Sequence, residues 1–230
     1  MVRPESIRKN RWEIAPVLDL GAEKELEQFH PTLGQIFYNR GLTNPAQIQA
    51  FLEGRYLENS DPFLLADMDQ AVERISKAIT ENEMIVVYGD FDADGVTATV
   101  LLTEALRGLG MERNRVRPYI PDRIEEGYGL NMGAMERIKE FGASLIITVD
   151  CGIRSVAEVA YANVLGLDVI ISDHDSVGMQ LPPAGAIINA KGVDSDFADR
   201  RLGGGGIGCG EGLLFHAGRN RGCRHVQPHQ

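Results

Sequence analysis

The sequence predicts an α/β fold with a parallel-type sheet and helices on both faces, preceded by a helical N-terminal segment. From about Met84 onward, short apolar runs rich in Val and Ile alternate with helical stretches, which is typical of a parallel sheet covered on both faces. Before Met84, apolar residues recur at a spacing of three to four, as in amphipathic helices. We therefore expect a helical segment over residues 1–80 that packs on the core, an α/β domain over 81–202, and a disordered tail rich in Gly, Arg and His over 203–230.

The N-terminal segment contains three stretches with helical periodicity, over residues 22–29, 44–52 and 68–80. Asn44 followed by Pro45 is a good start for the second of them. An Asn side chain accepts a hydrogen bond from the first turn, and Pro at the first helical position loses no hydrogen bond.

The α/β region predicts five strands separated by helices. Strands are expected over 84–88, 116–120, 145–149, 169–171 and 186–188, and helices over 96–109, 131–141 and 155–165. Gly110 and Gly142 are expected to end the first two helices, and Ser155 to begin the third with Glu158 three residues on. In such sheets ligands bind beyond the carboxyl ends of the strands.

The composition excludes several classes of protein. Of 230 residues, 43% are hydrophobic, an ordinary value for a globular protein, and the apolar runs are too short to span a bilayer. The first ten residues lack the apolar centre of a secretory signal. The net charge of −10 argues against a generally basic, nucleic-acid-coating surface. Three cysteines imply no even disulfide framework, so we expect a cytoplasmic protein.

Carboxylates and one imidazole follow the ends of three predicted strands. They are Asp90, Asp92 and Asp94 after the first strand, Asp150 after the third, and Asp173, His174 and Asp175 after the fourth. So many carboxylates repel one another unless cations neutralise them. An oxygen-rich set with one His suits Mg²⁺ or Mn²⁺. Two ions that share a carboxylate could activate a water for displacement at phosphorus.

Each of these residues has a structural alternative. An Asp after a strand is often a turn residue or a helix cap, and His174 taken alone could be an ordinary loop residue. We interpret Cys151 as a small packing residue rather than a nucleophile. A calcium-binding loop of the EF-hand type is excluded because Leu101 stands where its glutamate would be, in the twelfth position from Asp90.

Three motifs resemble those of the DHH phosphoesterase superfamily. They are residues 89–95 (GDFDADG), 148–153 (TVDCGI) and 172–175 (SDHD). Residues 61–65 (DPFLL), 121–129 and 187–189 (IIN) are similar to its single-strand-specific exonuclease branch. The resemblance covers roughly residues 12–202. It implies metal ligands at Asp90, Asp92, Asp94, Asp150 and His174, with Asp173 as an adjoining ligand or orienting group, and catalysis by Asp92, Asp94, Asp150 and His174.

Two departures from the family pattern weaken the expected activity. The third motif of the family ends in a second His that helps to hold the substrate phosphate, and here that position is Asp175. An anionic carboxylate repels a phosphate. A fourth motif, with a further metal-binding Asp, is expected at or beyond the end of this chain. We expect Arg123 and Tyr128, with Asp175, to form the substrate-binding positions, and Tyr128 could stack a base or pack as a loop aromatic.

The resemblance implies a phosphodiesterase that uses two Mn²⁺ or Mg²⁺ ions to degrade single-stranded DNA from the 5′ end, in recombination and repair. Its expected partners are single-stranded DNA and repair or replication proteins, with no membrane. Two alternatives stay open: a DHH phosphodiesterase that acts on oligoribonucleotides or cyclic dinucleotides, and an inactive DHH module that only binds partners. The long helical N-terminal segment favours the exonuclease, whereas Asp175 and the lack of a recognisable fourth motif favour the inactive module.

Overall fold

A computed structural model describes residues 14–53 and 62–192. The chain divides into two compact units, with the division between Glu58 and Asn59. The predicted tail over 203–230 lies outside the described residues. In the part of the chain that the structure describes, no helix is long and apolar enough to cross a membrane.

The described residues of the first unit form three helices, α1 (Leu20–Glu25), α2 (Pro31–Asn39) and α3 (Pro45–Leu52). Leu26, Phe37 and Ile48 form its buried apolar cluster. As predicted, the Asn44 side chain caps α3, with Pro45 in the first turn. The sequence periodicity did not single out α2, whose first turn is capped by the His30 side chain.

Over residues 62–192, the second unit forms a sheet of five strands whose neighbours all pair in parallel. Its strands are β1 (Ile85–Gly89), β2 (Val116–Tyr119), β3 (Leu145–Val149), β4 (Asp168–Ser172) and β5 (Ala186–Ile188), in the spatial order β2-β1-β3-β4-β5. The helices are α4 (Met68–Thr80), α5 (Ala93–Gly108), α6 (Met132–Glu140) and α7 (Val156–Val164), with a 3₁₀ turn at Pro62–Leu64. The predicted α/β class and all five strands are confirmed.

Helices cover both faces of the sheet. One face carries an apolar cluster to which α4 and α5 contribute, including Ile75, Leu102 and Ile147. The other carries a cluster formed with α6 and α7, including Met135 and Val159. The helix at Met68–Thr80, which the sequence pattern groups with the N-terminal segment, therefore packs with the sheet.

A close approach between β1 and α5 fixes the start of that helix. A Cβ atom at Gly89 would lie 1.9 Å from Thr99 Oγ1, and a Cβ atom at Gly95 would lie 2.6 Å from the backbone N and O of Asp90. Only glycine fits at either position. The first turn of α5 therefore lies directly against the carboxyl end of β1.

Candidate metal centre

Three neighbouring strands end side by side at the edge where the predicted site residues lie. Gly89, Val149 and Ser172 are paired across β1, β3 and β4 and are the last residues of these strands. The next residue along each strand is an aspartate: Asp90, Asp150 and Asp173. All three side chains are buried, at 4%, 6% and 2% exposure, so the parallel register brings three carboxylates to one sheet edge.

The start of α5 adds two more carboxylates. Asp92 is the N-cap of α5, and its Oδ1 accepts hydrogen bonds from the backbone N–H groups of Asp94 and Gly95, both at 2.9 Å. One Asp92 oxygen thus holds the helix start, and Asp94 lies in the first helical turn. Because Gly95 lies against Asp90, this turn brings Asp92 and Asp94 to the end of β1.

Five of the six predicted metal ligands form two clusters that share one residue. Asp94, Asp150 and His174 form the first, and Asp90, Asp92 and Asp150 form the second. In each cluster the ligand atoms lie within 4.8 Å of one another. Asp150 is the residue common to both clusters, which is where a two-ion site would have its bridging carboxylate. The role of these five residues as ligands stays a prediction.

The electrostatics of Asp150 favour a cation. The pKa of Asp150 is raised to about 7, first by burial and then by the charges of Asp94, Asp92 and Asp173, against the lowering effect of His174. Burial also raises the pKa of Asp90. A divalent cation between these carboxylates would remove this electrostatic cost.

One atom of Asp150 fits a metal ion better than a hydrogen bond. Among the residues that the structure describes, its buried Oδ1 has no hydrogen-bond partner, although His174 Nε2 lies 2.8 Å away. Both residues belong to the first cluster, and a cation held there would satisfy this oxygen. Carboxylate oxygens with one imidazole form a donor set for Mn²⁺ or Mg²⁺, so these residues fit such ions.

The backbone of Asp150 is held in an unusual conformation. Its φ is 63°, in the left-handed region that Asp adopts more readily than most residues. Its N–H donates to the Ser172 carbonyl at 2.9 Å, which ties the residue to the end of β4. The next glycine, Gly152, has a φ of 109°. This turn aims the Asp150 carboxylate at the clusters.

Asp173, the sixth predicted ligand, is in neither cluster. Its Oδ2 accepts a hydrogen bond from the backbone N–H of Ile153 at 3.0 Å, and its Oδ1 accepts one from the backbone N–H of Asp175 at 2.9 Å. With both oxygens occupied by backbone donors, the orienting role that the sequence left open for Asp173 fits better than the ligand role. It ties the loop after β3 to the loop after β4.

Asp175 is half-buried beside the site. Its carbonyl accepts a hydrogen bond from Asn189 at 3.0 Å, and its side chain belongs to neither cluster. The pKa of Tyr128 is raised first by burial and then by the charge of Asp175, with smaller increases from Asp173 and Asp90. Tyr128 therefore lies within electrostatic reach of the carboxylates, and its role in substrate binding stays a prediction.

An aromatic group beside the carboxylate clusters consists of Phe91, Tyr128 and Arg123. Its central member, Phe91, was not predicted from the sequence. The Phe91 ring lies 4.9 Å below the Arg123 guanidinium and 6.2 Å from the Tyr128 ring in an edge-on arrangement. The Tyr128 ring stays 62% exposed. The one hint in the sequence is that Phe91 is an aromatic residue between two predicted ligands, Asp90 and Asp92.

Cys151 is a packing residue, as predicted. It is 1% exposed, and its thiol donates to the Tyr88 carbonyl at 3.8 Å. Burial raises the pKa of the Cys151 thiol well above its ordinary value. A buried thiol of this kind is a poor nucleophile.

Comparison with known families agrees with the motifs. A model described as the DHH family, N-terminal domain, matches residues 84–226. The match continues beyond residue 202, where the sequence led us to expect the resemblance to end. It includes every residue of the two clusters.

Several proteins and solved structures that resemble this chain are described as exonucleases. The chain is 41% identical over 201 residues to the single-stranded-DNA-specific exonuclease RecJ of Bacillus subtilis (strain 168), an alignment that covers 86% of this chain and 25% of that protein. A crystal structure of exonuclease RecJ bound to manganese matches with a TM-score of 0.61 at 32% identity, over 70% of this chain and 39% of that one. A crystal structure of Thermus thermophilus RecJ in complex with Mn²⁺ matches with a TM-score of 0.63 at 25% identity, over 93% and 29%. The chain thus spans between a quarter and two fifths of the length of these relatives.

Proposed function

This chain belongs to the DHH family, and we propose that it is the metal-dependent catalytic part of a RecJ-like exonuclease. It would hydrolyse phosphodiester bonds of single-stranded DNA from the 5′ end, in DNA recombination and repair. The observation that carries this proposal is the pair of clusters that share Asp150 at the ends of three neighbouring strands. The names of the relatives support the choice of substrate.

We assign one set of residues to the metal ions and another set to the substrate. Asp90, Asp92, Asp94, Asp150 and His174 would hold two Mn²⁺ or Mg²⁺ ions. When bound, such ions polarise the phosphoryl group and lower the pKa of a coordinated water. Asp150 belongs to both clusters and therefore fixes the position of one relative to the other. Asp173 holds the loop that carries Asp150 through its hydrogen bond from Ile153.

The substrate would lie over the aromatic group. The exposed Tyr128 ring offers a face or edge for a nucleobase, and stacking of this kind tolerates any sequence. Arg123, whose charge acts on Asp90, supplies a cation in an otherwise acidic region that would attract the phosphate backbone. We place the protein in the cytoplasm, with repair or replication proteins as further partners, which agrees with the free buried thiol of Cys151.

Asp175 favours a second candidate, an inactive DHH module that binds nucleic acid or partners without turnover. It puts a carboxylate where the DHH motif has a phosphate-holding histidine. Its charge acts on Tyr128, within the region that we propose for the substrate. Repulsion between Asp175 and a phosphate would raise the barrier to binding.

The test is cleavage of 5′-labelled single-stranded DNA by the full chain with Mn²⁺. Duplex DNA, short RNA and a cyclic dinucleotide serve as competing substrates. We expect release of 5′ mononucleotides from single-stranded DNA, lost in Asp150→Asn and kept in Glu104→Gln, which removes the charge of an ion pair with Arg107 on α5. Absence of cleavage in the wild-type protein, with cleavage restored by Asp175→His, would establish the inactive module. Cleavage of RNA or the cyclic dinucleotide alone would assign the other substrate class.

A further inference from the structure

The loop between β2 and α6 carries Arg123 and Tyr128, and a single carboxylate fastens it to the domain. Glu126 Oε1 accepts hydrogen bonds from Tyr119 Oη at 2.7 Å and from Asn131 Nδ2 at 3.4 Å, and pairs with Arg137. Its Oε2 accepts one from the backbone N–H of Asp122 at 2.9 Å. Only 17% of the Glu126 side chain is exposed. Its donors come from β2, from α6 and its N-cap, and from the start of the loop, so this side chain joins the loop to the domain.

The far end of the loop is tied to the strand that leads into the metal centre. Tyr88 Oη donates to the Gly129 carbonyl at 2.9 Å and accepts a hydrogen bond from Asn131 at 3.3 Å. Tyr88 is fully buried, and its ring stacks on Tyr119 with centroids 5.0 Å apart. It lies on β1 two residues before Asp90. The loop and the metal centre are thus both attached to β1.

Between these two points of attachment, the loop contacts Phe91, which lies in sequence between Asp90 and Asp92. Arg123 covers the Phe91 ring, and Tyr128 meets its edge. The anchors matter because Arg123 and Tyr128 are otherwise on the surface: Tyr128 is 62% exposed. A long or exposed side chain loses conformational entropy when it is held in one place. Because the loop is already fixed, this entropy is lost on folding and does not weaken substrate binding.

The charge of Glu126 suits this role. Burial acts to raise the pKa of Glu126, but the hydrogen bonds from Asp122, Tyr119 and Asn131 and the charge of Arg137 lower it overall. Hydrogen bonds to an ionised carboxylate are stronger than those to a neutral group.

We propose that Glu126 is a positioning residue: through its hub of hydrogen bonds it holds Arg123 and Tyr128 over the carboxylate clusters and thereby sets the affinity for a single-stranded end. The inference deepens the proposed function and depends on it, because it takes Arg123 and Tyr128 as strand contacts. Glu126 belongs to neither of the two clusters, and both of its carboxylate oxygens accept hydrogen bonds within the domain. Its effect should therefore appear in strand binding and not in metal binding.

Glu126→Gln tests this with little change in size. The amide keeps an acceptor for Tyr119 but turns an N–H group toward the N–H of Asp122. We expect the Kd for a fluorescein-labelled, phosphorothioate-linked oligodeoxynucleotide, measured by anisotropy with Mn²⁺, to rise by on the order of fivefold or more. Mn²⁺ affinity from calorimetry should stay within twofold. The matched control is Glu136→Gln, which alters a Glu that accepts from Tyr161 at 2.6 Å on the surface, and it should change neither constant.

Two further readouts separate positioning from a general loss of stability. In an Arg123→Ala/Tyr128→Ala background, Glu126→Gln should have no further effect on Kd, since the residues it acts through are gone. Trypsin should cleave after Arg123 several times faster in Glu126→Gln than in wild type, with the rate after Arg113 unchanged.

The contrary outcomes are distinct. An unchanged Kd or trypsin rate in Glu126→Gln, or a full effect in the double-alanine background, would overturn the positioning role and leave the proposed function standing. A wild-type chain that binds no single strand would overturn the proposed function and this inference together.

Discussion

Replacing Gly95 by alanine should take the metal centre apart without removing any ligand. The added Cβ would lie 2.6 Å from the backbone N and O of Asp90 and 2.7 Å from its Cβ. These are backbone and Cβ atoms that cannot swing aside. Ordinary contact begins at 3.4 Å, so α5 and the end of β1 must separate by about 0.8 Å, beyond the tolerance of about 0.5 Å for a functional constellation. Asp92 and Asp94 would move away from Asp90 and Asp150.

We expect the Mn²⁺ affinity of Gly95→Ala to fall by about 10- to 100-fold, the loss seen when metal ligands lose their support. The free energy of unfolding should fall by about 1–3 kcal/mol, the usual result of overpacking. Calorimetry with Mn²⁺ and urea unfolding of the full chain measure the two quantities. Gly108→Ala is the matched control: it lies in the same helix with nothing within 4 Å of its added Cβ. Mn²⁺ binding by Gly95→Ala within twofold of wild type would refute the account of the α5–β1 approach.

Three other changes test the site and its support. Asp94→Asn should remove one of two bound Mn²⁺ ions in calorimetry and Asp150→Asn both, since only Asp150 belongs to both clusters; two tight ions in Asp150→Asn would contradict the bridge. Asp175→His should tighten single-stranded DNA binding about tenfold, or about 1.4 kcal/mol, by removing a charge that repels phosphate; an unchanged Kd would argue against that repulsion. Arg74→Met should lower the free energy of unfolding at pH 7 by about 1 kcal/mol, because Arg74 binds Glu83 at 2.7 Å. Burial acts to raise the pKa of Glu83, but hydrogen bonds from Arg74 and Ser144 lower it below its ordinary value of 4.5. The stabilisation is therefore complete above pH 4.5 and lost as pH falls through the lower folded value, so the two urea curves should converge in acid.

Strands were predicted best where an apolar run is continuous, and helices were predicted best where the helical period is strong. The strands Leu145–Val149 and Ala186–Ile188 and the helix Met68–Thr80 have the predicted limits. The helix Pro31–Asn39 was not predicted, and Gly34 in its interior lowers its intrinsic helix propensity. Its stability comes instead from tertiary packing, since Gly34 lies against Leu26 and Phe37 is buried beside it.

The gathering of the site residues followed from one rule of fold: parallel strands end at the same edge. The rule could not assign each carboxylate its partner. Asp173 and Asp90 both follow strands directly, yet both Asp173 oxygens accept backbone hydrogen bonds, whereas Asp90 joins a cluster. That distinction depends on where the N–H groups of Ile153 and Asp175 point, which no sequence spacing encodes.

The position of Asp150 shows why the choice of substitution matters as much as the choice of site. Its left-handed backbone, with φ at 63°, and its N–H bond to Ser172 aim the carboxylate between the clusters. Non-glycine residues without a short polar side chain adopt this conformation at a cost of about 1–2 kcal/mol, so Asp150→Ala would disturb the turn as well as the metal centre. Asn tolerates the left-handed region as Asp does. Asp150→Asn therefore removes the bridging charge alone, and loss of metal in that variant reports on the carboxylate itself.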